Sequence, residues 1–332
     1  MINRPRRLAA IRSILAHNPV CALLGPRQSG KTTLARMLLR GRKDTHVFDL
    51  ETAGGRARLA QPELALSGLI VIDEIQREPR LFEVLRPLAD RSRRPARFLI
   101  LGSASPDLIR GVSESLAGRV GFADLGGFDL TEVGARHMRT LWLRGGLPRS
   151  YLARNHSLSF RWRRDFVRTF LERDVPQLGI RIPAESLRRF WMMLAHYHAQ
   201  VWNGAELARS LGVTEHTVRR YLDVLAGIYL VRQLPPWFEN ISKRQYKSPK
   251  VYVRDSGLLH SLLGLTTWEE LTAHPKLGAS WEGFALEQVI EHTHPTPTPT
   301  SGAPTRARSS TCCSFTGAGA TGSSSSTATH RP

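Results

Sequence analysis

Residues Gly25 to Thr32 read GPRQSGKT, Thr33 follows, and further on the chain runs LIVIDE from Leu69 to Glu74. The first segment has the form G-x-x-x-x-G-K-[ST], in which glycines let successive backbone N–H groups turn inward around phosphate oxygens. The second is an apolar run ending in two carboxylates, which places Asp73 at the tip of a buried strand. A chain carrying both is expected to build a parallel α/β sheet with a phosphate-and-metal site at the strand tips. Lys31 is expected at the β- and γ-phosphates, the Thr32 hydroxyl and Asp73 at Mg²⁺, and Glu74 at an attacking water. Gly25, Pro26, Arg27, Gln28, Ser29, Gly30 and Thr33 complete the expected cradle around ATP.

The flanking residues fit that context. Val20 to Leu24 is a short apolar run of strand type, and Thr33 to Arg40 has apolar residues at helical spacing with no breaker. Strand, glycine loop and helix in that order put a helix N-terminus, with its partial positive charge, against the phosphates. His46 to Leu50 and Arg97 to Leu101 supply further strands, and Leu81 to Leu88 a helix. The strand at Arg97 runs into GSAS, so Ser103 or Ser105 is a candidate contact to the γ-phosphate or the water. Arg119, in SESLAGR, is a candidate for the arginine that stabilises charge on the transferred phosphoryl, in cis or across a subunit interface.

With 332 residues the chain suits two or three domains, each with its own core. Its 41% hydrophobic and 23% charged content is that of a soluble globular protein. A net charge of +19 favours a polyanionic partner such as DNA, although only six of the 47 basic residues are Lys, a bias that coding composition also produces. The three Cys (Cys21, Cys312 and Cys313) have neither zinc nor disulfide-framework spacing, which points to a reducing cytoplasm. No run approaches the ~18 apolar residues a membrane span needs, and Arg12, His17 and Asn18 interrupt any signal-peptide core.

From Thr140 to about Leu178 the pattern turns helical and Arg-rich, with Phe160, Phe166, Val167 and Phe170 on one apolar stripe and the arginines expected on a solvated face. Residues Asn203 to Leu234 then give a helix, a turn at Gly212 and Val213, and a second helix capped by Thr214 with Val218, Tyr221, Leu222 and Leu225 inward. That is a helix-turn-helix, and the two short strands after it suggest a winged variant. Glu215, His216, Arg219 and Arg220 point outward, where a recognition helix meets a major groove; His216, Arg219 and Arg220 are the candidate DNA contacts.

The combination GPRQSGKTTL, VIDEIQR, LGSASPDLI with SESLAGR, RRYLDVLAGIYLVRQLPPW, KSPKVYVRDSGLLHSLLG and GASWEGFALEQ resembles a prokaryotic family of AAA-type P-loop ATPases. The resemblance runs from about Pro19 to Ile290. It implies a C-terminal region of unknown function that joins a winged helix to a restriction-endonuclease-like fold, and ATP and Mg²⁺ at Gly30, Lys31, Thr32, Asp73 and Glu74. The expected order is an N-terminal helix (1–18), an AAA-type domain (19–139), a helical linker (140–200), a winged helix-turn-helix (201–255), a remnant of the endonuclease-like module (256–291) and a low-complexity tail (292–332).

The tail departs from the family. After Glu291 there is no Asp or Glu, and the composition falls to Thr, Ser, Ala, Gly and Pro, which cannot bury enough apolar surface to offset ordering entropy. Reading one base earlier from Thr300 onward, with suitable third bases, the codons for TSGAPTRARSSTCCS can spell FWRTHAGAELDLLL, and the later TGSSSS can spell GFEFK. A frameshift in place of the endonuclease-like module is therefore expected, leaving residues 268–290 an orphaned fragment with Trp281, Phe284 and Leu286 exposed and prone to aggregate. The functional expectation is an ATP-driven switch acting on DNA, a protein partner or a second copy of itself. The alternatives are a nucleotide-liganded DNA-binding regulator without turnover, a small-molecule P-loop kinase, and a scaffold with a decayed site.

Overall fold

The structure, a computed structural model, describes residues 2–59, 67–91, 96–103, 111–112, 114–236 and 248–293. Five strands make one sheet: β1 (Val20–Gly25), β2 (Thr45–Asp49), β3 (Gly68–Asp73), β4 (Ala96–Ser103) and β5 (Val120–Asp124). They lie in the order β2-β3-β4-β1-β5 with every neighbouring pair parallel. Helices cover both faces, which is why β1, β3 and β4 read as nearly unbroken apolar runs while the edge strand β2 is half exposed. Alternate residues of β1 enter opposite cores. Cys21 and Leu23 pack with Ile11, Leu34 and Leu38 on one face; Val20, Ala22 and Leu24 pack with Phe82, Leu85 and Leu116 on the other.

All strands point the same way, so Gly25, Asp73 and Ser103 end at one edge. β4 lies between β1 and β3, and its Ser103 stands opposite Gly25. The helix Lys31–Leu39 starts directly after Gly30, whose φ of 95° is open to glycine at little cost.

The second half is built on the helices His156–Thr169, Ala184–His196, Gly204–Leu211 and Glu215–Gly227, with β6 (Gln200–Val201), β7 (Val231–Leu234) and β8 (Lys250–Val253) in the order β6-β8-β7, antiparallel. Gly212 closes one helix in the left-handed region, and Thr214 caps the next by accepting from Thr217 N–H at 3.2 Å. One core containing Phe166, Phe190, Trp191, Leu222, Val251 and Leu258 runs through all of these elements. The stretches expected as a separate linker and helix-turn-helix therefore pack as one body.

Two expectations need correction. Not every arginine of the basic helix faces solvent: Arg163 is fully buried, and its Nη1 donates to the carbonyls of Leu143 (3.2 Å) and Gly257 (2.6 Å). It falls on the apolar stripe between Phe160 and Phe166, and it trades solvation for two main-chain carbonyls, that of Leu143 standing in the last turn of a helix. Nor is the last helix, Leu277–Thr293, orphaned. Phe284 is buried with Trp142, Leu265 and Leu271. Glu287 accepts from Arg232 and, at 3.2 Å, from Arg254, while Glu291 pairs with Arg7 of the first helix. Leu286 is half buried, and Trp281 alone of the three stands exposed, at 41%. The shifted-frame residues of the tail lie outside the described residues.

A polar chain fastens this helix: Trp142 Nε1 donates to Ser280 Oγ (2.9 Å), Ser280 donates to His260 Nε2 (2.7 Å), and His260 Nδ1 donates to the Leu143 carbonyl (3.0 Å). That pattern uses the neutral ring, and burial brings the His260 pKa down to about 3. His198, which accepts from Val253 N–H at 3.0 Å, is brought to about 4, again by burial. Both folded values lie below the unfolded 6.5, so the unfolded chain binds more protons in that window. Stability is then full above pH 6.5 and is lost as pH falls toward 4, by about 2 kcal/mol per ring at pH 5. Thermal unfolding between pH 7 and 5 should show a steep drop in midpoint, and a flat profile would contradict neutral buried rings.

Candidate nucleotide site

The loop between β1 and the helix Lys31–Leu39 is held from both sides. Gly25 passes so close to the Leu125 carbonyl that a Cβ there would collide with it. Arg4, buried, donates to the carbonyls of Ser29 (3.2 Å) and Gly127 (2.7 Å) while its Nε binds Glu132 at 2.7 Å, tying the first residues of the chain to the loop. Gln28 takes φ of 62°, a left-handed conformation that costs a non-glycine residue about 1 kcal/mol or more.

At the mouth of this loop the sequence-expected residues converge. Lys31 Nζ donates to the carbonyls of Gly25 (3.0 Å) and Pro26 (2.9 Å). Thr32 Oγ1 donates to Asp73 Oδ2 at 2.6 Å, so the two candidate metal ligands touch. Asp73 Oδ1 accepts from Glu74 N–H at 3.0 Å, and Glu74 itself stands at φ 56°, its carboxylate bonded to Gln76. Strain of this kind at a strand tip is maintained only where the surroundings over-determine it. Gln28, Gly30, Lys31, Thr32, Thr33, Asp73, Glu74, Pro148 and Arg149 line a cleft of about 340 Å³.

Electrostatics follow from burial. Desolvation brings the Lys31 pKa down to about 8, opposed by Glu74 and Asp73. Desolvation likewise raises Asp73, against the Thr32 hydrogen bond, and raises Glu74, against the charges of Lys31 and Arg27. Ser29 Oγ and Ser103 Oγ are buried with no protein partner. Unpaired hydroxyls in the loop and at the neighbouring strand end, beside the Lys31 ammonium and the touching pair Thr32 and Asp73, suit a ligand rich in acceptor oxygens, so the residues present fit a magnesium-bound polyphosphate.

Arg119 lies elsewhere. It immediately precedes β5, its carbonyl accepts from Val20 N–H at the start of β1, and its guanidinium grips Asp90 at 2.7 and 2.8 Å. The phosphate loop leaves the other end of β1, about 16 Å away at the rise of a strand, so Arg119 cannot act in cis. Ser105 lies outside the described residues. His216, Arg219 and Arg220 are exposed on the helix Glu215–Gly227, and Arg219 is engaged with Asp223 at 3.2 Å. Pro148 and Arg149, which line the cleft, and Asp174, which pairs with Arg27 of the loop from outside it, were not read from the sequence. Pro148 and Arg149 carried only the preceding Gly145-Gly146 pair as a signal, and Asp174 only an acid within a basic segment.

Among the described residues no helix is long and apolar enough to cross a membrane. The sequence matches the family described as AAA domain over residues 17–134 and a domain of unknown function (DUF8612) over residues 135–269. It is 56% identical over 292 residues to an uncharacterized protein of Mycobacterium tuberculosis and to one of Mycobacterium bovis, a stretch that covers 87% of this chain and 66% of each relative. The chain thus spans just under two thirds of the length of these relatives. In fold it is similar to a Walker-type ATPase of Pyrococcus abyssi, with a TM-score of 0.53 and 14% identity, covering 79% of this chain and 96% of that one. A loop of the right form on a parallel sheet, followed by the second matched domain, makes this chain a member of the AAA-type P-loop ATPases that carry a C-terminal domain of unknown function.

Proposed function

We propose that the chain binds ATP with Mg²⁺ at the loop Gly25 to Thr32 and hydrolyses it to ADP and phosphate, using the cycle to change how its second domain meets DNA. The observation that carries the reading is the 2.6 Å contact between Thr32 and Asp73, with Glu74 next in the chain at a strained strand tip. Thr32 and Asp73 would hold the metal, Lys31 the β- and γ-phosphates, and the loop N–H groups the remaining oxygens. Bound Mg²⁺ neutralises charge developing on the phosphates. Glu74 would orient the water and take its proton; its raised pKa brings it nearer the range of an effective general base. Ser103, opposite Gly25 and without a protein partner, would touch the terminal phosphate or the water. Arg119 would serve only the site of a neighbouring copy.

The helix Ala184–His196, strand β6, the two helices around Gly212 and the β7–β8 pair follow one another in the order of a winged helix. Its exposed His216, Arg219 and Arg220 suit a major groove. Phosphate release by the purified chain, with and without duplex DNA and beside a Lys31→Ala control, tests the reading. DNA affinity should fall steeply with salt, and stimulation of release by DNA is the expected result. Release indistinguishable from the Lys31→Ala control would refute ATP turnover. Salt-insensitive or absent DNA binding would refute the partner.

A further inference from the structure

Arg27 is the third residue of the phosphate loop, yet its guanidinium crosses to the second domain. Nη1 lies 2.5 Å from Asp174 Oδ1, and Nη2 lies 3.4 Å from Glu51 and 3.5 Å from Gln177. Asp174 closes a π-helical turn, Phe170–Asp174, two residues before Pro176. A proline there lacks the N–H that would continue the helical ladder, and its ring crowds the carbonyl four residues back, so the helix widens by one residue and re-aims what it carries. The carboxylate it delivers is 6% exposed and the Arg27 side chain 14%, so the pair is far less screened than one at the surface. Arg173 approaches the same carboxylate at 3.3 Å but is itself 58% exposed.

Arg27 is also felt inside the site. Its charge is among the influences that lower the pKa of Lys31 and that of Glu74, which places it within Coulombic reach of both. Asp174 does not line the phosphate cleft. One end of this ion pair therefore stands beside the chemistry and the other belongs to the domain of unknown function.

We propose that Asp174 is a positioning residue of the nucleotide site: from the second domain it fixes where the Arg27 charge stands beside the phosphate loop, so that movement of that domain alters the hold on the terminal phosphate. Coupling would run both ways, because binding energies at two linked sites are reciprocal. The proposal rests on reading the loop as an ATP site.

The test uses the full chain and measures kcat, KM and the affinities for magnesium ATP and magnesium ADP. Asp174→Asn should lower kcat by about fivefold and weaken ATP more than ADP, within the range that coupling residues show. Asp174→Glu, which keeps the charge, should recover most of the loss. Arg27→Gln combined with Asp174→Asn should be no worse than Arg27→Gln alone, since both act through one contact. Should Asp174→Asn fail to fold, Arg27→Gln carries the same reading: a lowered kcat with ATP selectively weakened supports it, and wild-type kinetics overturn it. A wild type that binds and hydrolyses ATP beside an Asp174→Asn variant identical to it removes this proposal alone. A wild type that binds no nucleotide removes the reading of the loop and this proposal with it.

Discussion

Lys31→Ala weakens binding of magnesium ATP by roughly a hundredfold or more, because it deletes a desolvated ammonium from a site whose ligand brings several negative charges. The loop carbonyls of Gly25 and Pro26 that Lys31 now satisfies would lose their donor as well. Calorimetry or a fluorescent nucleotide reads the loss directly, and an unchanged dissociation constant would place the nucleotide elsewhere. The same group sets a pH limit. The charged form binds phosphate, and burial holds the unliganded pKa at about 8, so affinity should be level below pH 8. Above it affinity should fall, by up to about tenfold per unit, until the pKa of the liganded state is reached. A pH-independent affinity would assign the binding to a group other than Lys31.

Glu74→Gln separates binding from turnover. The amide keeps the size of the side chain and can still bond Gln76, but it cannot accept a proton from water, so hydrolysis should fall by about 10² to 10⁴ while ATP affinity holds. Single-turnover measurements with ATP bound would show an intact complex that persists. A regulator that merely carries nucleotide as a ligand predicts the opposite emphasis: DNA affinity and biological effect untouched by Glu74→Gln. Retention of wild-type turnover in the variant would make Glu74 a structural residue of the strand tip and move the role of base to another group.

Gly25 to Thr32, Asp73 and Glu74 were legible in the sequence because their chemistry is local. A loop and a strand tip each carry their own pattern, and parallel strands bring the tips together without further information. Arg119 was legible in part. Its motif was visible, but the strand that follows it, Val120–Asp124, was not read from the sequence, and it is that strand which sets Arg119 at the end opposite the ligand crevice. Arg163 could have been read as buried, since it falls at helical spacing between Phe160 and Phe166, but the solvated face is the usual place for arginine in a basic helix. Asp174 and Glu287 could not be assigned from pattern. Their partners are Arg27 for the first and Arg232 and Arg254 for the second, and these contacts exist only once the two halves of the chain have packed. The fate of the last helix was missed for the same reason: its cover comes from Trp142 and Leu265, and its ion pair from Arg7 of the first helix.

The pairing of Arg7 with Glu291 and Asp129, and of Arg254 with Glu287 and Glu291, has a practical meaning for anyone who would cut the protein into pieces. An isolated fragment ending near residue 134 would strip Arg7 of Glu291 and expose the apolar surface beneath it. Arg7 would keep Asp129 but lose the second carboxylate of a buried network, and Phe128 would lose the cover it takes from Trp142 and Phe284. The opening and closing helices of the described chain act as a clasp, and the half that matches the AAA domain is expected to need its companion in order to stay folded.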